Sequence, residues 1–251
     1  MHVTPRRLVL TAILALSLAA SSSCALFDGL RVADPSFARA EKAALLSIYT
    51  SQSIGGLNAG LIATAQGLTN SWGQDLLPGL TAELRARLTS EVGLTLVDDA
   101  AVAAHATYQG IKSNDPFAGT PKESVSPPPL RPVFLTQDDV RQQAAEVVAA
   151  VGADIGISVS LSWLASRDSG DYTVQTTFTL RAVDQTGKLV WEQVEVVTTT
   201  QALKLSDLAS LGADIGAAMV GSMREEPTKN TAMAGAREAM TTIFTSMKEA
   251  R

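Results

Sequence analysis

The passage VRQQAAEVVAAVGADIGISVSLSWL, residues 140–164, decides the fold, because its hydrophobic period changes once and abruptly. Val140, Ala144, Val147, Val148 and Val151 recur on one helical face, and then Gly152 interrupts the pattern. From Ile155 the apolar residues Ile157, Val159, Leu161 and Trp163 alternate with Gly156, Ser158, Ser160 and Ser162, a strict period of two. A helix thus runs into a strand that buries one side and shows serine on the other. Thr136 and Asp139, three apart, predict a cap related to the capping box at the helix start.

Working outward toward the C-terminus, SRDSGD (166–171) predicts a turn, and Tyr172, Val174, Thr176, Phe178 and Leu180 alternate in a second strand. Asp184-Gln185-Thr186-Gly187 predicts another turn, and LVWEQVEVVTTT (189–200) a third strand whose phase slips near Glu192, as at a bulge. Short turns make these three strands an antiparallel meander. Two helical faces follow, Leu208, Leu211, Ile215, Met219 and then Met233, Ala236, Met240, Ile243, Phe244, Met247, with Pro227 expected to separate them. The pentapeptide Gly-Ala-Asp-Ile-Gly occurs at 152–156 and again at 212–216. One copy enters a strand and the other a predicted helix, so the echo is read as coincidence.

Toward the N-terminus, KAALLSIYT (42–50) predicts a strand buried on both faces. Residues 51–73 hold five glycines and predict a long loop ending near Trp72. Leu77, Leu80, Leu84 and Leu88 predict a helix from Pro78 to Glu91 with Gly93 as its stop. LTLV (94–97) is a short strand, and Asp98 or Asp99 caps an Ala-rich helix running to Gly110. Residues 113–135 contain six prolines, which bar a helix or central strand and predict a surface excursion. The expectation is an α/β fold: a mixed sheet of about five strands, including the meander, flanked by helices and closed by C-terminal helices.

The first residues set the compartment. Arg6 and Arg7 precede an apolar run from Leu8 to Ala20, and Ser21, Ser22 and Ser23 lead to Cys24, the single cysteine. A charged start, a short apolar core and small residues before a cut form a signal peptide, and the run is too short to span a bilayer. The cysteine that ends it resembles the lipobox of bacterial lipoproteins, in which the thiol is acylated and the chain is cut before it. Ser21 departs from that pattern, where leucine is usual. The reading divides the chain into a signal at 1–23, a short tether at 24–40, and one periplasmic domain at 41–251 with loops at 51–73 and 113–135. Ala25, in place of the aspartate that retains enteric lipoproteins at the inner membrane, points to the outer membrane.

Loss of Arg6 and Arg7 with the signal leaves 18 basic against 25 acidic side chains, a net charge of −7. That balance argues against a nucleic-acid partner. With one cysteine there is no internal disulfide. His105 is the only histidine beyond His2, which leaves no spacing for a histidine metal site or a triad; no cofactor and no metal are expected. The carboxylate pairs Asp98-Asp99, Asp138-Asp139 and Glu225-Glu226 fall at predicted helix ends, the last before Pro227. Trp163 and Trp191 fall in strands and are assigned to the core. Trp72, in the Gly-rich loop, is the candidate partner-binding residue.

The segments TAELRARLTSEVGLTLVDD (81–99), VRQQAAEVVAAVGADIGISVSLSWL (140–164) and LRAVDQTGKLVWEQ (180–193), in this order, resemble the periplasmic domain shared by the curli-secretion lipoprotein and the lipoprotein activator of penicillin-binding proteins. The resemblance spans about residues 40–224 and implies a mixed sheet with flanking helices and a non-enzymatic, partner-binding role. The chain departs from both relatives: it lacks the activator's long tether, and its Pro-rich segment lacks the alternation of the channel's hairpins. The expected function is a lipid-anchored envelope protein that serves as a scaffold or regulator of envelope assembly or secretion. It is held by the membrane through its lipid and binds another envelope protein, with self-association left open. The alternatives are a hydrolase of envelope polymers using a carboxylate pair and a subunit of an oligomeric secretion pore.

Overall fold

The computed structural model describes residues 29–56, 71–112, 124–168, 171–201 and 225–251. The signal peptide, Cys24, the first predicted C-terminal helix and the second Gly-Ala-Asp-Ile-Gly copy lie outside the described residues. The chain enters as strand β1 (Gly29–Ala33), passes a 3-10 turn at Phe37–Arg39, and forms β2 (Lys42–Ser51) and β3 (Gly55–Gly56). Helix α1 (Trp72–Ser90), β4 (Thr95–Leu96), the short helices α2 (Asp99–Ala104) and α3 (Ala106–Gly110) and β5 (Ser124–Val125) follow. The second half is α4 (Asp138–Ala150), the long strands β6 (Ile155–Asp168), β7 (Asp171–Asp184) and β8 (Leu189–Gln201), and α5 (Glu225–Glu249).

The eight strands among the described residues make one mixed sheet in the order β1-β8-β7-β6-β2-β4, with β3 beside β6 and β5 beside β2. The meander β6-β7-β8 is antiparallel throughout, whereas β2 runs parallel to both β6 and β4. All five expected strands are present, and the other three, β1, β3 and β5, come from segments with little hydrophobic period. The strand bulge falls at Val190, which has no partner between Ala182↔Trp191 and Val183↔Leu189. It sits two residues before the expected place, and it lets consecutive Val190 and Trp191 both be fully buried.

The tether expectation is corrected from residue 29 on. Gly29–Ala33 pairs antiparallel with Trp191–Val194, and Phe37 is 1% exposed with its ring 4.7 Å from that of Trp191. Scattered large side chains without a period suggested a linker, yet one buried Phe and one strand edge suffice to fix the segment.

The Pro-rich expectation is corrected over its second half. Leu130, Val133, Phe134 and Leu135 are all buried. The Ser158 hydroxyl donates to the Val133 carbonyl at 2.7 Å, and the Val133 amide donates to the Ser47 hydroxyl at 3.1 Å. Prolines forbid a ladder, but hydroxyls of β2 and β6 supply the hydrogen bonds the ladder would have made. Phe134 then meets Tyr49 edge to face, with centroids 4.5 Å apart.

Helix limits differ in three places. Helix α1 begins at Trp72, six residues before the expected start, and carries Pro78 inside it. The Ala-rich helix is broken at His105, whose ψ of 129° is extended. Helix α4 has Gln137 at its N-cap with no side-chain cap bond, so the Thr136 cap is not formed. Pro227 lies in the first turn of α5, a position where its missing amide costs nothing, and the helix expected before it lies outside the described residues.

The hinge between α4 and β6 shows why residues 152–156 have their sequence. Gly152 takes φ +69°, closing the helix in a left-handed conformation that disfavours a side chain. Ala153 and Ile155 are buried. At Gly156 a Cβ would lie 2.5 Å from Val148 Cγ2 and 2.6 Å from Leu46 Cδ1, so only glycine lets α4 lie this close to the sheet.

Candidate functional site

Cross-strand register assigns each residue of the meander to a face. Ile157, Val159, Leu161, Trp163 and Ala165 share a face with Thr176, Phe178, Leu180, Gln193 and Trp191, and α1 and α5 cover it. The Gln193 amide, for example, donates to Ser246 of α5 at 3.2 Å. The opposite face carries the serines, and α4 and residues 130–135 cover only its first part.

Burial on this serine face falls off in rows along the strands. Gly156 and Val183 lie under α4, and Val183 is fully buried. The next row, Ser158-Arg181-Glu192, is bound by the Arg181–Glu192 ion pair at 2.8 Å and by the Val133 carbonyl. Ser160-Thr179-Val194 follows, with Thr179 and Val194 still buried. Beyond it, Ser162 and Thr177 are half-buried, and the row Leu164-Gln175-Thr198 is exposed, Leu164 at 43%. Thr173 and Thr200 close the end with hydroxyls 3.2 Å apart. The result is a surface made mostly of hydroxyls and amides around the exposed Leu164. Such a surface can make hydrogen bonds and an apolar contact with a partner. Leu164 is in phase with Ser158, Ser160 and Ser162, so the period-two reading that found the strand also carried the signal for its exposure.

Trp72 lies at the same end of the sheet, but not in a loop. It is the first residue of α1, half-buried and packed against the core. The helix start is held by the Gln74 amide donating to the Gln52 carbonyl at 3.1 Å, while β3 pairs with Leu164 and Ala165. Trp72, β3 and the Leu164 row are thereby brought to one end, as is Gln201, whose side chain receives the Thr231 hydroxyl at 3.1 Å.

The carboxylate pairs are used at helix starts, where the macrodipole favours them. Asp98 caps α2 by accepting the Ala100 amide at 3.1 Å, and Asp99 pairs with Arg85, whose pKa burial pushes down. Asp138 pairs with Arg141 at the start of α4. Glu225 and Glu226 begin α5, which corrects their expected place at a helix end. His105 caps α3. Among the described residues no group of three His, Cys, Asp or Glu side chains is placed to hold a metal. Trp163 and Trp191 are core residues, 4% and 0% exposed.

No protein-family model and no curated protein matches the sequence. Among solved structures, a hypothetical protein from Chlamydia trachomatis is 13% identical, covering 82% of this chain and 97% of its own, at a TM-score of 0.37. A lipoprotein from Neisseria meningitidis is 14% identical over 72% of this chain and 99% of its own, at 0.35. The C-terminal domain of LpoB from Salmonella enterica is 18% identical over 63% and 83%, at 0.30. None of the three reaches a TM-score of 0.5.

Proposed function

We propose that this chain is a lipid-anchored protein of the cell envelope, held at the outer membrane and facing the periplasm, that binds another envelope protein and acts as a scaffold or regulator without being an enzyme. The observation that carries the reading is a spacing. Strand β1 starts at Gly29, five positions after Cys24, and belongs to the central sheet. At about 3.3 Å per residue the backbone of a lipidated Cys24 lies no more than about 17 Å from the start of β1. The folded body therefore rides on the membrane surface and meets partners that are themselves at the membrane. No described helix is long and apolar enough to cross a bilayer, so attachment in this reading rests on the lipid. The surface assigned to the partner is the open end of the serine face around Leu164; Trp72 lies at the same end on the α1 side and is the second candidate contact.

Crosslinking in intact cells, followed by purification from membranes, tests the proposal. A specific envelope protein captured by the wild type and lost with Leu164→Asp, in a variant that keeps its thermal stability, is the expected result. Turnover of an envelope polymer by the purified protein, or equal capture by the variant, would overturn it.

A further inference from the structure

Helix α5 is seated on the sheet in two different ways along its length. Its C-terminal half is fixed by Met240, Ile243, Phe244 and Met247, each 1% exposed or less, and Arg87 lies over the Phe244 ring at 5.0 Å. Its N-terminal half buries nothing large: Thr228, Thr231, Ala232, Gly235, Ala236 and Ala239 face the sheet, with Met233 partly buried beside α1. The sheet beneath that half mixes the hydroxyls of Thr176 and Thr199 with the apolar side chains of Val174 and Val197. A methyl at Gly235 would stand 2.6 Å from Thr176 Oγ1 and 3.0 Å from Thr199 Oγ1, and both oxygens are buried without a hydrogen-bond partner. Thr176 is 0% exposed, and Trp163, opposite it in register, has a buried, unpartnered indole N–H.

We propose that the N-terminal half of α5, Thr228 to Ala239, is a strap that lifts from the sheet by itself while the half from Met240 onward stays seated. Three features act together. The strap's own contact side chains are methyls and hydroxyls, so it brings less apolar surface to the closure than Met240, Ile243, Phe244 and Met247 do. Opening returns water to the Thr176 and Thr199 hydroxyls and the Trp163 N–H, groups that have no partner when it is closed. The bonds that tie the strap to α1 are exposed ion pairs, Lys229–Asp75 at 2.7 Å and Arg237–Glu83 at 2.9 Å, which salt weakens. Trp191 Nε1 and Gln193 Oε1 are also unpartnered on this face, but the C-terminal half adds four large apolar side chains that opening would expose, and Gln193 keeps its bond to Ser246. The strap ends beside Gln201, at the same end of the sheet as Trp72, so its opening alters the neighbourhood of the surface described above without depending on that surface's role.

Hydrogen exchange followed by mass spectrometry on the full-length mature protein tests this. Amides 231–238 are expected to exchange at least about tenfold faster than 242–248, and faster still as salt is raised. Gly235→Ala, which inserts a methyl against the two hydroxyls, is expected to speed exchange in 231–238 and leave 242–248 unchanged. Thr176→Val, an isosteric change that removes an unpartnered hydroxyl and carries the test if Gly235→Ala does not fold, is expected to slow it. One common rate for both halves, moved together by salt and by either variant, would show that α5 opens as a single unit and overturn the proposal.

Discussion

Asp154 and Lys42 hold each other twice: the Asp154 amide donates to the Lys42 carbonyl at 2.9 Å, and the Lys42 amide donates to the Asp154 carboxylate at 2.8 Å. The same carboxylate oxygen accepts the Glu41 amide, also at 2.8 Å. One side chain thus sets where β2 begins relative to β6, and the parallel register from Ala43↔Ile155 follows from it. Replacing Asp154 with Ala leaves two amides to water and should cost about 1 kcal/mol, since the site is exposed; Asn, which keeps an acceptor, should restore most of it. Urea denaturation of the two variants compares them directly.

Gly156 should tolerate nothing larger. A methyl there meets Val148 and Leu46 inside normal contact distance, so either α4 moves off the sheet or two core side chains leave their rotamers. Gly156→Ala is expected to destabilise by roughly 1–3 kcal/mol, with a second substitution, Val148→Ala, recovering part of the loss. If the two changes prove additive in thermal melts, the contact does not limit packing.

Tyr108 gives the fold a sensitivity to alkali. Its hydroxyl donates to the Leu46 carbonyl at 2.7 Å and accepts the Arg131 amide at 2.9 Å, and burial pushes its pKa above the usual tyrosine value. A group with a raised folded pKa contributes its stability fully below the unfolded value and loses it as pH rises through the folded one. Wild type should therefore lose stability above about pH 10. Tyr108→Phe should lose about 1–2 kcal/mol at neutral pH, from the two stranded backbone groups, and show a flatter alkaline limb. Melting temperatures from pH 7 to 11 for both proteins check this.

The sheet's centre was legible because period and topology agree there. Strands β6 and β7 alternate cleanly, β8 does so on either side of its bulge, their turns are short, and the buried run of β2 needs a sheet covered on both sides. What escaped the sequence were segments ordered by single contacts. Strand β1 is held by an edge and by Phe37 against Trp191; residues 130–135 are held by Ser47 and Ser158; neither contact leaves a local pattern. The sequence hides the start of α1 because proline is favoured at the first position of a helix, which points to Pro78, and because the Gly-rich composition before it gives no helical signal at Trp72. For the site, the serine alternation marked the face correctly, but not how far α4 and residues 130–135 would cover it. Trp72 stood out by composition, and the structure moves it from a loop to a half-buried helix start.

The central claim, that the fold is anchored by an acylated Cys24 directly beside β1, is tested most directly by intact-mass analysis of the mature protein extracted from membranes, with Cys24→Ala as the control. The account predicts a polypeptide beginning at Cys24 and carrying the added mass of acyl chains, and a Cys24→Ala protein absent from the membrane fraction. A mature protein without acyl mass, or a Cys24→Ala protein that remains in the membrane fraction as the wild type does, would contradict it.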